Sequence, residues 1–281
     1  MSTLYLVSTP IGNLEDITQR ALRILDEVAL IAAEDTRHTG RLLKHFEIAT
    51  PLRSFHEHNK SSRLPELLEA LTAGDLALVS DAGTPLVNDP GHELVRAALS
   101  AGHQVSPIPG PSAPLAALTA SGLPADAFLY LGYLPRRRSG RKNALMAIAD
   151  LPYTLIFLET PHRLLSALED IEETLGNREM AVARELTKMH EEIFRGPVSA
   201  AQRRFAETGP KGEITLVVAG HPGDPGSAWD EERLRGELRK RMDEGASASQ
   251  LAKTLAKDSG WTRSEVYNLI LAAQKDAGRV E

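Results

Sequence analysis

Five stretches of this chain read as an apolar strand that runs directly into a loop rich in glycine and proline. They are residues 4–13, 76–85, 105–114, 128–135 and 154–162. Such a loop leaves backbone N–H and C=O groups free and lets a ligand approach the main chain closely. Because ligands of open α/β sheets bind at the carboxyl ends of the strands, the five loops predict one composite pocket.

Helical patterns alternate with the strands and indicate an α/β fold. The strands at 4–8 and 76–80 are followed by helical patterns at 16–25 and 91–101, and Gly102 suits the left-handed residue that follows a helix. This alternation predicts a largely parallel sheet with crossover helices.

A short helical pattern after Pro114 ends at Gly122 and Pro124 and marks a domain junction. Beyond it we predict a second α/β unit: strand 128–131, helix 142–149, strand 155–158, helix 163–175, and strands 180–184 and 214–219. We therefore expect an N-terminal α/β domain at 1–115 and a C-terminal α/β domain at 116–222.

The last fifty residues have the pattern of a separate helical tail, 230–281, which follows a Pro/Gly-rich linker at 221–230. Asp230 can cap its first helix. Two capping boxes predict two further helix starts: Ser247 with Gln250, and Thr262 with Glu265. Two short helices around a tight turn are typical of a helix-turn-helix, although such units are often packing modules only.

The 281-residue chain has no cysteine, which excludes disulfides and thiolate metal ligands and fits a reducing cytosol. Its first residues lack the basic segment of a signal peptide, and no stretch approaches the roughly 20 apolar residues that span a bilayer. These features predict a cytoplasmic protein without membrane contact. The net charge of −6 argues against a protein that coats nucleic acid over its whole surface.

Basic residues are nevertheless concentrated in two places, 135–142 and 233–242. The first place follows directly on a pocket loop, and we read it as a loop itself. A charge run is often only a solvated face, but this position favours a local phosphate contact. The residues expected to bind RNA are Arg136, Arg137, Arg138, Arg141 and Lys142, with help from the basic tail helices.

The pocket loops lack the signatures of phosphate-binding nucleotide sites. The chain has no G-x-x-x-x-G-K-[ST] loop and no G-x-G-x-x-G turn after a strand. A nucleoside without phosphates suits loops of this kind, and S-adenosylmethionine is such a molecule. Asp81, just past an apolar strand, could accept a hydrogen bond from a ribose hydroxyl or an ammonium, or could only cap its loop.

Eight motifs occur in this order: VSTPIGNLEDIT, AAEDTRHTGRLL, VSDAGTPLVNDPG, PIPGPSA, GYLPRR, ETPHRL, ARELTK and KGEITLVV. They closely resemble the bacterial small-subunit ribosomal RNA (cytidine-2′-O)-methyltransferases of the tetrapyrrole methylase superfamily. The resemblance covers nearly the whole chain, including the helical tail. The EDTRHTG and SDAGTP strings are specific to that branch, whereas porphyrin-type methylases have a GDP-type sequence in place of DAGTP.

The resemblance implies a two-domain tetrapyrrole-methylase-like fold, usually a homodimer, with S-adenosylmethionine in the cleft between the domains. It also implies small-subunit ribosomal RNA, free or in the assembled subunit, as the partner. Carried over by motif, the cofactor-binding residues are Pro10, Asp81, Ala82, Gly83, Val87, Ser112, Ala113, Leu131, Tyr133, Leu186, Glu213 and Ile214.

A ribose 2′-hydroxyl is a poor nucleophile while protonated, so a general base or a cation beside the developing alkoxide would assist methyl transfer. We expect catalytic contact with the substrate from among Asp35, Arg37 and Glu185. The alternative is that such residues are ion pairs that fix loops, Glu34 with Arg37 and Arg184 with Glu185. The residues do not identify the base, and the other candidates are His38, Lys188, His56, His58 and Asn59.

Three other functions stay open. A metal-dependent hydrolase could use Glu34, Asp35, His38, His56 and His58, but nothing else completes a metal shell, so we expect no metal. A ligand-sensing regulator would need base-reading residues in the tail, where only Arg263, Ser264 and Asn268 stand out. A small-molecule methylase of the same superfamily is the nearest alternative, and the EDTRHTG and PRRRSGRK stretches argue against it.

Overall fold

The computed structural model describes residues 2–222, 229–243 and 247–277. The chain divides into two compact units, Met1–Ala149 with Tyr153–Ala219, and Asp150–Pro152 with Gly220–Glu281. The first unit contains two five-stranded sheets. Of the predicted linker at 221–230, residues 223–228 lie outside the described part of the chain.

The first sheet is built from β1 (Thr3–Val7), β2 (Leu30–Ala33), β3 (Leu52–Ser54), β4 (Leu76–Val79) and β5 (Gln104–Ile108). Its order is β3-β2-β4-β1-β5, and every pairing is parallel, as the βα alternation predicted. The crossover helices are α1 (Gln19–Glu27), α2 (Thr36–His45), α3 (Lys60–Ala73) and α4 (His92–Ser100). The helices α1 and α2 pack on one face and α3 and α4 on the other. The central strand β4 is therefore buried along its whole length.

Capping residues explain where these helices begin and end. The Thr18 side chain accepts the Ala21 N–H at 3.1 Å, so α1 begins later than the predicted residue 16. The Asp35 carboxylate accepts the Arg37 N–H at 2.8 Å and caps α2. Gly102 follows α4 with φ +82°, as predicted.

The second sheet follows α5 (Ala113–Ser121) and consists of β6 (Phe128–Tyr133), β7 (Thr154–Glu159), β8 (Glu179–Arg184), β9 (Glu192–Pro197) and β10 (Ile214–Val218). Its order is β6-β7-β10-β8-β9. Only the β6–β7 pairing is parallel, so this second sheet is mixed, unlike the first. The reason is β9, an edge strand ending in Gly196 and Pro197 that forms a hairpin with β8 and gives too weak a pattern to be predicted.

Three helices pack with this sheet: α6 (Arg138–Met146), α7 (Pro161–Leu175) and α8 (Val198–Thr208). The prediction of a loop at 135–142 is wrong from Arg138 onward, because α6 begins there. Three of its basic side chains pair with acidic residues of α7, which fixes this turn of helix against the second sheet.

The two sheets meet through a shared apolar cluster. The helix α5 packs Ala117 and Leu118 against Ile156 and Val217 of the second sheet, and Ile11 from the first loop joins the same cluster. The loops of one sheet are thereby held beside the other sheet within one compact unit.

The helical tail contains α9 (Glu231–Asp243), α10 (Ala248–Ser259) and α11 (Arg263–Ala277) around a core of leucine, valine and isoleucine. Both predicted helix starts are capped: Thr262 and Glu265 exchange the two hydrogen bonds of a capping box, and Ser247 accepts the Gln250 N–H at 3.4 Å. Asp230 accepts the Arg233 N–H at 2.7 Å, as predicted. Among the described residues, no helix has the length and hydrophobicity that crossing a membrane requires.

Candidate active site

One cavity of about 420 Å³ is lined by residues from all five predicted strand-loop stretches. Each contributes to the lining: Ile11 from the first, 81–84 from the second, 112–114 from the third, Tyr130 and Tyr133 from the fourth, and 158–161 from the fifth. A further segment, 212–215, completes the wall. The prediction of one composite pocket is therefore confirmed.

Backbone and hydroxyl contacts tie the first three loops together. Thr9 and Gly83 exchange backbone hydrogen bonds of 2.9 and 3.0 Å, and Gly83 has a φ of +79° that favours glycine. The Thr84 hydroxyl donates to the Pro111 carbonyl at 3.2 Å. These contacts fix the loop at 80–85 as a rigid part of the cavity.

A hydrogen bond also joins the two sheets across the cavity. Burial raises the pKa of Tyr130 to about 12, so its hydroxyl stays protonated, and it donates to Asn88 Oδ1 at 2.7 Å. Gly132 has a φ of +63°, and a Cβ there would lie 2.5 Å from Asn88 Nδ2. Glycine is therefore required for this close approach.

Acidic side chains form one side of the cavity: Glu34, Asp81 and Asp89. Burial raises the pKa of Glu34, and the charges of Asp89 and Asp81 raise it further. Burial also raises the pKa of Asp89. Asp81 Oδ1 accepts the Asp35 N–H at 2.9 Å, so Asp81 both caps a loop and faces the cavity. Carboxylates gathered in this way suit a cationic ligand group.

A buried carboxylate, Glu159, also lines the first cavity and was missed by sequence reasoning. Glu159 Oε1 accepts the Thr160 N–H at 2.8 Å and lies 3.2 Å from Arg163 Nε. Its Oε2 is buried without a hydrogen-bond partner among the described residues. Such an oxygen calls for a donor from a ligand or a water molecule.

A second cavity, of about 260 Å³, adjoins the first. The two share Ile11, Asp81, Ala82 and Glu213. Three basic side chains line the second cavity and not the first: His38, Arg41 and Lys188. The molecule thus offers an acidic cavity beside one with basic groups, a division that no single motif indicated.

The loop between β8 and β9 supplies Lys188 to this second cavity. Lys188 Nζ lies 3.0 Å from Glu185 Oε1 and 3.2 Å from Glu213 Oε2. Glu185 Oε1 also accepts the Glu213 N–H at 3.0 Å. The ammonium is held in place by two carboxylates from different segments.

Ten of the twelve predicted cofactor residues line the first cavity, and the structure brings them together. Pro10 lines the second cavity instead. Leu131 lines neither and is 41% exposed. The ten are Asp81, Ala82, Gly83, Val87, Ser112, Ala113, Tyr133, Leu186, Glu213 and Ile214.

The predicted catalytic residues Asp35, Arg37 and Glu185 line neither cavity. The Arg37 guanidinium holds the pKa of Asp35 well below its usual range, through a contact of 2.7 Å. A hydrogen bond from the Glu213 backbone, with the Lys188 ammonium, lowers the pKa of Glu185. The ion pairs suggested from the sequence are wrong in their partners: Arg37 pairs with Asp35, and Arg184 pairs with Glu192.

The basic cluster at 136–142 is only partly free to bind RNA. Arg141 is 4% exposed and forms an ion pair of 2.6 Å with Asp170, so its prediction as an RNA contact is wrong. Arg138 pairs with Asp170 and Glu173, and Lys142 pairs with Glu173. Arg136 and Arg137 are exposed and form no ion pair within the described part of the chain.

The residues considered for a metal site are dispersed. Glu34 lines the first cavity and His38 the second, while His56 and His58 line neither. Within residues 2–222, 229–243 and 247–277, no group of three or more such side chains is placed to hold a metal ion.

The fold and these cavities define a class of protein, a two-sheet α/β protein with a cavity lined by loops of both sheets. Residues 3–202 match the sequence model of the tetrapyrrole (corrin/porphyrin) methylases, so the chain belongs to that family. The predicted family resemblance and α/β fold class are confirmed.

Relatives of known name are similar along most of the chain. The ribosomal RNA small subunit methyltransferase I of Synechocystis sp. is 49% identical over 98% of this chain and 100% of its own. The protein of that name from Escherichia coli O157:H7 is 54% identical over 78% of each chain. Two solved structures share the fold. They are the methyltransferase CobJ (TM-score 0.60, 19% identity, 78% of this chain and 95% of that one) and diphthine synthase (TM-score 0.61, 15% identity, 78% and 90%).

Proposed function

We propose that this protein methylates the 2′-oxygen of a cytidine ribose in small-subunit ribosomal RNA. The observation that carries the proposal is the pair of adjoining cavities, one acidic and one with basic groups, joined at Asp81 and Glu213. The names of the relatives support ribosomal RNA as the substrate. The cytidine 2′-oxygen as the target rests on the resemblance of the EDTRHTG and SDAGTP motifs.

S-adenosylmethionine is the cofactor, and we propose that it binds in the first cavity. The carboxylates of Glu34, Asp81 and Asp89 complement a ligand that carries a sulfonium and an ammonium. The loops that line this cavity offer main-chain groups to a nucleoside. The residues proposed to hold it are the ten predicted ones that line this cavity.

When bound, S-adenosylmethionine supplies a methyl group on a sulfonium, which is a good leaving group. The protein then has to orient the acceptor oxygen in line and to exclude water. The Thr9–Gly83 bridge and the Tyr130–Asn88 hydrogen bond keep the walls of the first cavity in place for this task.

The second cavity is proposed to receive the nucleotide that is methylated. His38, Arg41 and Lys188 suit the phosphates of an RNA strand. Asp35, Arg37 and Glu185 act in this proposal as positioning residues, since Asp35 caps α2 and Glu185 holds Lys188. Arg136 and Arg137, with the exposed parts of Arg138 and Lys142, extend the contact to RNA outside the cavities.

We further propose that the protein works in the cytoplasm as a homodimer. The absence of cysteine fits a reducing compartment. The dimer rests on the family resemblance, and light scattering on the purified protein would measure its mass directly.

The proposed function is tested by methyl transfer from tritium-labelled S-adenosylmethionine to small ribosomal subunits that lack the modification. Nuclease digestion then maps the label. The expected result is label on a single cytidine ribose. Label on a base, or no label on RNA although the cofactor binds, would contradict the proposal.

A further inference from the structure

Lys188 lies where the two cavities meet. It lines the second cavity together with Glu213, and Glu213 also lines the first. Partial burial alone would lower the pKa of Lys188, but the carboxylates of Glu185 and Glu213 raise it above its ordinary value. The Lys188 side chain is therefore a positively charged ammonium group that lines the second cavity.

The backbone that presents Lys188 is strained on both sides of Leu186. Glu185 and Thr187 have φ values of 51° and 64°, in the left-handed region that non-glycine residues seldom adopt. The Thr187 hydroxyl oxygen is buried without a hydrogen-bond partner among the described residues. Strain of this kind collects at functional sites, where the surrounding structure enforces it.

The first loop packs directly on this strained segment. A Cβ on Gly12 would collide with the Lys188 side chain, and it would lie 3.0 Å from the Leu186 carbonyl oxygen. The loop that contains Gly12, in the first sheet, therefore packs so closely on the loop that contains Lys188, in the second, that no methyl group fits between them. Both loops therefore confine the Lys188 side chain at its Cγ atom.

We propose that Lys188 and Glu213 act together on the acceptor hydroxyl of the substrate ribose. Lys188 stabilises the negative charge that develops on the oxygen, and Glu213 takes its proton. This inference rests on the proposed function and adds to it the residues that activate the nucleophile.

Glu213 is better suited to accept a proton than the other carboxylates nearby. Its side chain is 75% exposed and can pass a proton on to solvent. Its Oε2 contacts Lys188, and its Oε1 accepts no hydrogen bond from the part of the chain that the structure describes. The lowered pKa values of Asp35 and Glu185 make those two groups weak bases.

Methyl transfer to the acceptor hydroxyl conserves atoms and charge. The acceptor oxygen forms a bond to the methyl carbon while the carbon–sulfur bond breaks, and the bonding electron pair stays on sulfur. The hydroxyl proton moves to the Glu213 carboxylate and then to water. Lys188 keeps its proton throughout and contributes only its charge.

The test compares Lys188→Met and Glu213→Gln with the wild type and with Lys211→Met, a control that removes an exposed lysine from the same loop as Glu213. Single-turnover rates on undermethylated small subunits are measured at neutral pH under saturating conditions. Cofactor Kd is measured by calorimetry. Lys188→Gln is a second variant if the methionine variant folds poorly.

We expect Lys188→Met to reduce the single-turnover rate by about 10²–10³-fold with cofactor Kd nearly unchanged. Glu213→Gln should reduce it by about 10²-fold or more. A rise in RNA KM alone would make Lys188 a phosphate contact and overturn the inference. A parallel loss of cofactor affinity in Lys188→Met, whose residue is not among those proposed to hold the cofactor, would overturn it as well. An inactive wild type would instead refute the proposed function.

Discussion

The two adjoining cavities differ in charge although they share part of one wall. The first carries Glu34 and Asp89, the second carries His38 and Arg41, and Asp81 belongs to both. The first is built from the rigid, cross-linked loops of both sheets. The second is bounded by the strained loop that presents Lys188. The difference is the basis for the proposal that the cationic cofactor binds in the first cavity and the anionic substrate in the second.

Among the variants that test the difference between the two cavities, Asp81→Ala, in the wall that both share, is expected to have the largest effect on binding. It removes a carboxylate from the cavity proposed to hold the cofactor, so cofactor affinity should fall by about 10- to 100-fold, as for loss of a hydrogen bond to a charged group. The measurement is calorimetric titration with S-adenosylmethionine. Asp81→Asn, which can keep the hydrogen bond to the Asp35 N–H, separates loss of charge from loss of loop support. Unchanged affinity in both variants would remove Asp81 from the site.

A smaller effect is expected on the substrate side from Arg136→Ala combined with Arg137→Ala. The variant should weaken RNA binding by about 3- to 10-fold at low salt, and the slope of log K against log salt should fall by about two. The matched control is Arg20→Ala with Arg203→Ala, two exposed arginines outside the basic cluster. Equal behaviour of the two double variants would refute the RNA contact at this cluster.

The smallest expected effect is on the thermal stability of the folded protein, through Glu34 in the acidic first cavity. Because burial and Asp89 raise the pKa of Glu34, its ionised form destabilises the folded protein at pH 7. Glu34→Gln should therefore raise the Tm of the cofactor-free protein by about 1–3 °C. The gain should vanish as the pH falls below the unfolded-state value of 4.5, where both states are protonated. A lower Tm at pH 7 in calorimetric scans would show that the carboxylate stabilises the fold.

The composite pocket could be predicted from sequence because each loop carries its own local signal. An apolar strand followed by glycine and proline can be recognised within about ten residues of sequence. Parallel strands then bring the carboxyl ends of several strands, with their loops, to one edge of the sheet. The capping boxes at Ser247 and Thr262 were predictable for the same reason.

What could not be predicted depends on contacts between distant segments. Arg141 pairs with Asp170, which lies 29 residues away, so a basic run that looked free is partly neutralised. Arg184 pairs across a hairpin with Glu192 because β9 is an edge strand that leaves a weak pattern. The free oxygen of Glu159 and the second cavity depend on side-chain placement in the same way.

The most direct test of the two-cavity account measures cofactor Kd and RNA KM for a matched pair of variants. Asp89→Asn changes only the first cavity, and Arg41→Gln changes only the second. The account predicts that Asp89→Asn weakens cofactor binding and leaves RNA KM unchanged, whereas Arg41→Gln raises RNA KM and leaves cofactor Kd unchanged. The reverse pattern, or equal changes of both constants in both variants, would contradict it.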